Sequence, residues 1–139
     1  MTEVFTAETT IDSPVDAVWA RLVDWDTAAQ WMSGVDELRA QGPTAAGTTL
    51  IFTTRGKQRT GQIVGLDPGR SVTLRSIQGG VTADYVYACV QHHKGTRASL
   101  VADCSITGPA RLLGPVIRYA IRRADSGQLD AFAATFSPG

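Results

Sequence analysis

The sequence is poor in the residues from which metal and redox centres are built, with only two cysteines and two histidines among its 139 residues. Cys89 and Cys104 do not have the close spacing of a metal-binding pair. His92 and His93 are neighbours, and neighbouring residues of a strand point to opposite faces, so they cannot hold one metal ion together. We therefore expect neither a metal site nor a cofactor.

Motifs that would name a reaction are also missing. The chain has no phosphate-binding loop, no dinucleotide-binding glycine fingerprint, no GxSxG nucleophile elbow and no HExxH zinc motif. It also lacks an excess of either charge, because 13 basic residues balance 13 acidic ones. Since nucleic-acid binding needs a basic surface, we expect no nucleic-acid partner.

No hydrophobic run in the chain is long enough to cross a bilayer, so we expect no transmembrane segment. The first residues lack the basic start and apolar run of a signal peptide, which makes the cytoplasm the expected compartment. The composition, 43% hydrophobic and 19% charged, is ordinary for a folded protein. A length of 139 residues predicts a single domain over residues 1–139, either a monomer or a homodimer.

The N-terminal quarter of the chain changes from a strand pattern to a helix pattern. Apolar and polar residues alternate from Val4 to Ile11, which predicts a strand with one buried face. Ser13 and Pro14 suit the start of a helix. That helix is supported by apolar residues at helical spacing, namely Val15, Val18, Trp19, Leu22 and Val23. A second short helix is expected over Thr27–Met32.

The middle of the chain is divided by glycine and proline into short β-type segments. Short breaks of this kind favour antiparallel hairpins. The expected strands are Val35–Gln41, Thr48–Arg55, Gln58–Leu66, Ser71–Gln78, Val81–His93 and Thr96–Thr107. Together with the first strand they predict an antiparallel sheet of about seven strands.

The last hairpin allows a prediction of register. A two-residue turn at Lys94-Gly95 would place Tyr87 opposite Ala102 and Tyr85 opposite Cys104. The alternation agrees, because one face then carries Tyr85, Tyr87, Cys89, Leu100, Ala102, Cys104 and Ile106.

The same register separates the two cysteines. Cys89 would face Leu100, and Cys104 would lie roughly 13 Å further along the strand. A disulfide cannot span that distance, so we expect two free thiols.

The C-terminal segment from Pro115 to Phe136 has the length and spacing of one long helix. Its predicted inner stripe consists of Ile117, Ala120, Ile121, Ala124, Gln128, Ala131 and Phe132. The middle of this stripe is small or polar, which leaves room for a ligand. The alternative is that a tightly curved sheet comes close to the helix and requires small residues there.

This order of elements resembles the START/Bet v 1-like helix-grip superfamily, and within it the polyketide cyclase/dehydrase-like branch. The residues that carry the resemblance are Ile11, Pro14, Val15, Val18, Trp19, Ala20, Leu22, Asp24, Trp31, Gly42, Gly47, the Leu66-Asp67-Pro68 turn, Gly95-Thr96, Leu129 and Phe132. The resemblance implies an α+β helix-grip fold: a curved antiparallel sheet wrapped around the C-terminal helix, with two short helices after strand 1. It also implies a ligand cavity between sheet and helix.

The leading functional hypothesis is binding of a small apolar or aromatic molecule, such as a lipid, polyketide or quinone-like compound, in that cavity. The fold alone does not determine a function. The absence of a convincing acid–base pair favours binding over catalysis. The candidate ligand-binding residues are Trp31, Phe52, Arg59, Ile63, Leu74, Tyr85, Tyr87, Cys89, Leu100, Ala102, Cys104, Ile117, Ala120, Ile121, Ala124 and Gln128.

Two alternatives remain open. In aromatase/cyclases of the resembling family, pocket Arg and Tyr side chains orient a poly-β-ketone chain. By that analogy, an enzyme of polyketide cyclase or dehydrase type would use Tyr85 or Tyr87 as proton donor and Arg59 to polarise a carbonyl. The tyrosines would otherwise be core residues with hydrogen-bond partners in the protein. The second alternative is a protein-interaction module that uses the Arg118/Arg122 face of the last helix.

Overall fold

The computed structural model describes residues 2–32 and 34–136. These residues form seven strands, which are, in chain order, β1 Thr2–Ile11, β2 Glu37–Ala40, β3 Thr49–Thr54, β4 Lys57–Asp67, β5 Ser71–Gln78, β6 Val81–His92 and β7 Gly95–Ile106. The helices are α1 Val15–Leu22, a 3-10 turn Trp25–Gln30, a second 3-10 turn Gly108–Leu113, α2 Gly114–Asp125 and α3 Gln128–Ala134.

The seven strands form one antiparallel sheet in the order β1-β7-β6-β5-β4-β3-β2. From β2 to β7, strands that are consecutive in sequence lie side by side in the sheet, as short hairpins require. The sheet is completed by β1, which pairs with β7. The predicted architecture, a curved antiparallel sheet with helical structure after strand 1 and at the C-terminus, is confirmed.

The first strand is longer than its alternation predicted. A bulge between Glu3 and Phe5 shifts the pairing of β1 with β7. An extra residue in one strand breaks the alternation of faces, and accordingly Val4 and Phe5 are both buried.

The last hairpin turns one residue earlier than expected. His93 and Lys94 form the turn, and His92 pairs with Gly95. His93 adopts the left-handed conformation, with φ of 55°. Gly95 instead begins β7, where a Cβ atom would overlap the carbonyl oxygen of Ile11. A close approach of two backbones, and not the turn, therefore requires the glycine.

This difference moves the predicted register by two residues. Tyr85 lies opposite Ala102, and Tyr87 lies opposite Leu100. Because side chains alternate with a period of two, a shift of two leaves every residue on its predicted face. Both tyrosines thus point inward, as the sequence indicated, although the residues predicted to lie opposite them on β7 were wrong.

The C-terminal helix is interrupted. Residues 126–127 are a turn between α2 and α3. Serine and glycine are poor helix formers, which explains why the break falls there. The break changes which residues of the segment face the sheet.

The core lies between the inner face of the sheet and the helices α1 and α3. The most deeply buried large side chains come from strands and helices alike: Val18, Ile63, Val72, Leu100, Leu129 and Phe132.

Both cysteines are buried and free, as predicted. In the described part of the chain, no helix combines the length and the apolar character needed to cross a membrane.

Candidate functional site

A cavity of about 210 Å³ opens between the sheet and the junction of α2 with α3. Its walls are mostly apolar, with a group of polar side chains at the end nearest the helices and further polar residues along the strands, namely Thr54, Gln62, Ser76 and Gln78. The apolar walls come from Met32, Val35, Leu38, Leu50, Phe52 and Leu74. The polar end is formed by Tyr85, Tyr87, Asp125 and Gln128.

The four polar side chains are joined in one chain of hydrogen bonds. The hydroxyl of Tyr85 donates to Oδ2 of Asp125 at 2.7 Å. Nε2 of Gln128 donates to Oδ1 of the same carboxylate at 2.9 Å. The hydroxyl of Tyr87 donates to Oε1 of Gln128 at 2.8 Å. The network ties β6 to both segments of the C-terminal helix.

Local structure explains how these residues meet. Alternation along β6 places Tyr85 and Tyr87 on the same inner face. Asp125 is the last residue of α2 and Gln128 the first of α3, so the turn at 126–127 presents both side chains to that face.

Burial shifts the acidity of every titratable group in the network. Desolvation raises the pKa of Tyr85 well above its ordinary value, and the negative charge of Asp125 raises it further. Desolvation raises the pKa of Tyr87 in the same way, with a smaller effect of the Asp125 charge. The pKa of Asp125 is itself raised by burial, against the opposing effect of hydrogen bonds from Tyr85 and Gln128. Both phenols therefore stay protonated, and both are weak acids at neutral pH.

The structure brings together only part of the predicted site. Phe52, Leu74, Tyr85, Tyr87 and Gln128 line the cavity. A neighbouring groove shares Tyr85 with it and is bordered by three further predicted residues, Ile117, Ala120 and Ile121.

The other predicted residues lie elsewhere. Core positions outside the cavity lining are occupied by Trp31, Ile63, Cys89, Leu100 and Ala102. Cys104 is buried beside a separate surface depression near Arg118.

Arg59 shares the inner face of β4 with Gly61 and Ile63, but it lies towards the hairpin end, opposite Phe52. It is half-buried and does not line the cavity. The predicted contact between its guanidinium and a cavity ligand therefore has no counterpart in the structure.

The predicted stripe of the C-terminal helix is wrong at Ala124, which is exposed. The carboxylate that the sequence interpretation missed is its neighbour, Asp125. Ile117, Ile121 and Asp125 follow each other at intervals of four, so the inner stripe runs through the acid and not through the alanine. The available signal was the interval of four that continues from Ile121 to Asp125, and the sequence interpretation followed the interval from Ala120 to Ala124 instead.

Trp31 packs edge-on against Tyr87, with ring centroids 5.6 Å apart, and against Phe132 at 4.9 Å. Its indole Nε1 is buried and has no hydrogen-bond partner among the described residues.

Within residues 2–32 and 34–136, no three His, Cys, Asp or Glu side chains cluster closely enough to hold a metal ion.

The sequence matches a family model described as polyketide cyclase / dehydrase and lipid transport over residues 2–137. No curated protein sequence matches the chain.

Solved structures resemble the chain closely in shape and weakly in sequence. The Zhui aromatase/cyclase of a Streptomyces species has a TM-score of 0.76 and 15% identity, over 95% of this chain and 92% of that one. TTHA0849 of Thermus thermophilus has a TM-score of 0.73 and 17% identity, over 94% of both chains. The di-domain ARO/CYC StfQ of the steffimycin biosynthetic pathway has a TM-score of 0.72 and 18% identity, over 94% of this chain and 49% of that one. Similarity at this level of identity shows the helix-grip fold alone.

Proposed function

The chain belongs to the polyketide cyclase / dehydrase and lipid transport family, and from that premise we propose that it binds a small apolar or aromatic molecule in the cavity between the sheet and the C-terminal helices. The ligand is a polyketide-like, quinone-like or lipid-derived compound. The observation that carries the proposal is the cavity itself, with apolar walls and one hydrogen-bonded polar end.

The chemistry of the lining supports this class of ligand. Ligand pockets are typically apolar surfaces with a few fixed polar groups that orient the bound molecule. Here Leu38, Leu50, Phe52 and Leu74 supply apolar area from three different strands.

The cavity volume sets the size of the ligand. An apolar cavity of about 150 Å³ can hold a benzene molecule. The cavity of about 210 Å³, open on one side, therefore fits a bicyclic ring system or the end of a longer chain.

Two substitutions to tryptophan test where the ligand binds. Leu74 lines the cavity, whereas Ala124 is exposed on the outer side of α2. Leu74→Trp should weaken binding of the neutral fluorescent probe N-phenylnaphthylamine at least about tenfold, because the new ring occupies the ligand's space. Ala124→Trp should leave the affinity unchanged. Circular dichroism of both variants controls for folding. Equal affinity in the two variants, or no probe binding to the unsubstituted protein, contradicts the proposal.

The natural ligand can be sought directly. Native mass spectrometry of freshly purified protein should reveal a bound molecule with a mass below that of a diacyl lipid. Denaturation and extraction should then release the same mass.

A second candidate function is catalysis of polyketide cyclisation or dehydration, and the observation that favours it is Asp125. Its carboxylate is partly desolvated at the cavity end, and burial raises its pKa, as suits a general base. The earlier assignment of Tyr85 or Tyr87 as proton donor has less support, because the pKa of each phenol is raised. If the chain is an enzyme, Asp125→Asn should lower turnover of a β-hydroxyketone at least about a hundredfold.

The interaction-module alternative has little support in the contacts of α2. Arg122 donates two hydrogen bonds to the carbonyl oxygen of Val4, at 2.9 and 3.2 Å. Its guanidinium thus anchors the helix to β1. A surface that depends on Arg122 would first have to break those bonds.

A further inference from the structure

We propose that the cavity selects molecules whose polar group is a hydrogen-bond donor, such as a phenolic or alcoholic hydroxyl, and discriminates against carboxylates and ethers. This inference rests on the proposed function, because it names the class of molecule that the cavity binds. Its basis is the direction of the hydrogen bonds at the polar end.

One carboxylate fixes all of those directions. Ionised Asp125 carries no proton, so both groups that contact it, the hydroxyl of Tyr85 and Nε2 of Gln128, must donate. Because the amide nitrogen of Gln128 faces Asp125, its carbonyl oxygen faces Tyr87. The hydroxyl of Tyr87 must then donate as well.

Within the network, nearly all of the donor hydrogens are used, whereas several acceptor positions remain free for a ligand. Tyr85 and Tyr87 have one polar hydrogen each and Gln128 has two on its amide, and the three hydrogen bonds use all but one amide hydrogen. The carboxylate of Asp125 has about four acceptor positions, of which two are occupied, and each phenol oxygen can accept once more. The buried, unpartnered indole N–H of Trp31 is not part of the cavity lining.

Among the described residues, no Arg or Lys side chain is paired with Asp125. Arg75 borders the cavity, but its guanidinium is paired with Asp84 at 2.7 Å, and alternation along β6 places Asp84 on the face of the sheet opposite to Tyr85. Arg122 donates to the carbonyl oxygen of Val4. An anionic ligand group would face the charge of Asp125 without a partner.

Three matched ligands test the inference on the unsubstituted protein: naphthol, methoxynaphthalene and naphthoate, each substituted at the same ring position. They share one apolar body, and only naphthol can donate at neutral pH. Measured by displacement of N-phenylnaphthylamine, naphthol should bind roughly 10- to 100-fold more tightly than methoxynaphthalene, since a hydrogen bond to a charged group is among the stronger ones. Naphthoate should bind most weakly.

Two variants then assign the selectivity to the carboxylate. Asp125→Asn should reduce the naphthol to methoxynaphthalene ratio to about one- to threefold. The matched control is Asp130→Asn, which removes the same charge from an exposed position of α3 and should leave the ratio unchanged. Tyr85→Phe should widen the ratio, because the carboxylate loses its competing donor. That variant keeps the test decisive if Asp125→Asn fails to fold.

The outcomes separate the inference from the function on which it rests. Equal binding of naphthol and methoxynaphthalene to the unsubstituted protein overturns the inference and leaves the cavity function standing. Tightest binding of naphthoate overturns it as well, as does a ratio that falls in Tyr85→Phe. Failure of all three ligands and of the probe to bind overturns both proposals.

Discussion

Removing the hydroxyl of Tyr87 should destabilise the protein measurably. This hydroxyl donates to Oε1 of Gln128 at 2.8 Å, and the two residues are only 3% and 6% exposed. Tyr87→Phe keeps the ring that packs against Trp31. The substitution therefore removes the hydrogen bond with little change in apolar contact, and it leaves the Gln128 carbonyl buried without that donor.

The expected cost follows from that unpaired carbonyl. Leaving a buried acceptor without its partner costs about 1–3 kcal/mol, more than the net value of an ordinary hydrogen bond. With a urea m-value of about 2 kcal/mol/M, the unfolding midpoint of Tyr87→Phe should fall by roughly 0.5–1.5 M at unchanged m-value. Equilibrium urea unfolding followed by circular dichroism measures both quantities.

Tyr119→Phe is the matched control, because Tyr119 is 59% exposed and its hydroxyl accepts only a 3.4 Å contact from Arg123. It should change the free energy of unfolding by less than about 0.5 kcal/mol. A double-mutant cycle of Tyr87→Phe with Gln128→Leu should give a coupling of about 1 kcal/mol. A midpoint for Tyr87→Phe that matches that of Tyr119→Phe, or a coupling near zero, would refute the reasoning.

Three further predictions follow from the described contacts. Thiol titration in denaturant without reductant should give two reactive thiols per chain, whereas the native protein should react slowly, because Cys89 is buried and its pKa is raised to about 11. Because burial raises the pKa of Asp125 above its ordinary 3.8, the folded protein binds this proton more tightly than the unfolded chain does. The contribution of Asp125 to the free energy of unfolding should therefore decrease as pH rises from about 3.8 through the raised pKa of the folded state. Urea unfolding of the unsubstituted protein and of Asp125→Asn across this pH range should show that decrease as a change in the difference between the two free energies. Gly95→Ala should lower the thermal unfolding midpoint, since its Cβ would overlap the carbonyl oxygen of Ile11, whereas Gly127→Ala, which has no atom within 4 Å of the added Cβ, should not.

The sheet was predictable because its signals are local. Alternation and short glycine-containing breaks indicated all seven strands, and the inward direction of Tyr85 and Tyr87 followed from them. The turn at His93-Lys94 was misplaced because Gly95 resembles a turn residue in sequence. Its actual role is a close approach to Ile11, more than eighty residues earlier in the chain, and local pattern carries no information about such a contact.

The polar end of the cavity could not be predicted from the same kind of signal. It depends on the phase of the C-terminal helix, and a phase error of one residue exchanges Ala124 for Asp125. Periodicity alone fitted Ala124 into a plausible inner stripe, because alanine is tolerated on either side of a helix. The break at 126–127 then allowed Gln128 to join the network from a new helix start, which no continuous stripe describes.

The corrected position of Asp125 also bears on the choice between binding and catalysis. A dehydration needs one group to remove a proton and another to protonate the departing hydroxyl. Asp125 can serve as the base, but the hydroxyls of Tyr85 and Tyr87 already donate within the network, and the pKa of each phenol is raised. Each phenol would have to break its hydrogen bond and give up a proton, although its surroundings raise its pKa above the ordinary value of a tyrosine. The cavity thus offers a base without a matching acid. An arrangement that orients a hydroxyl-bearing ligand makes use of every one of these groups as it stands, and for that reason we favour binding.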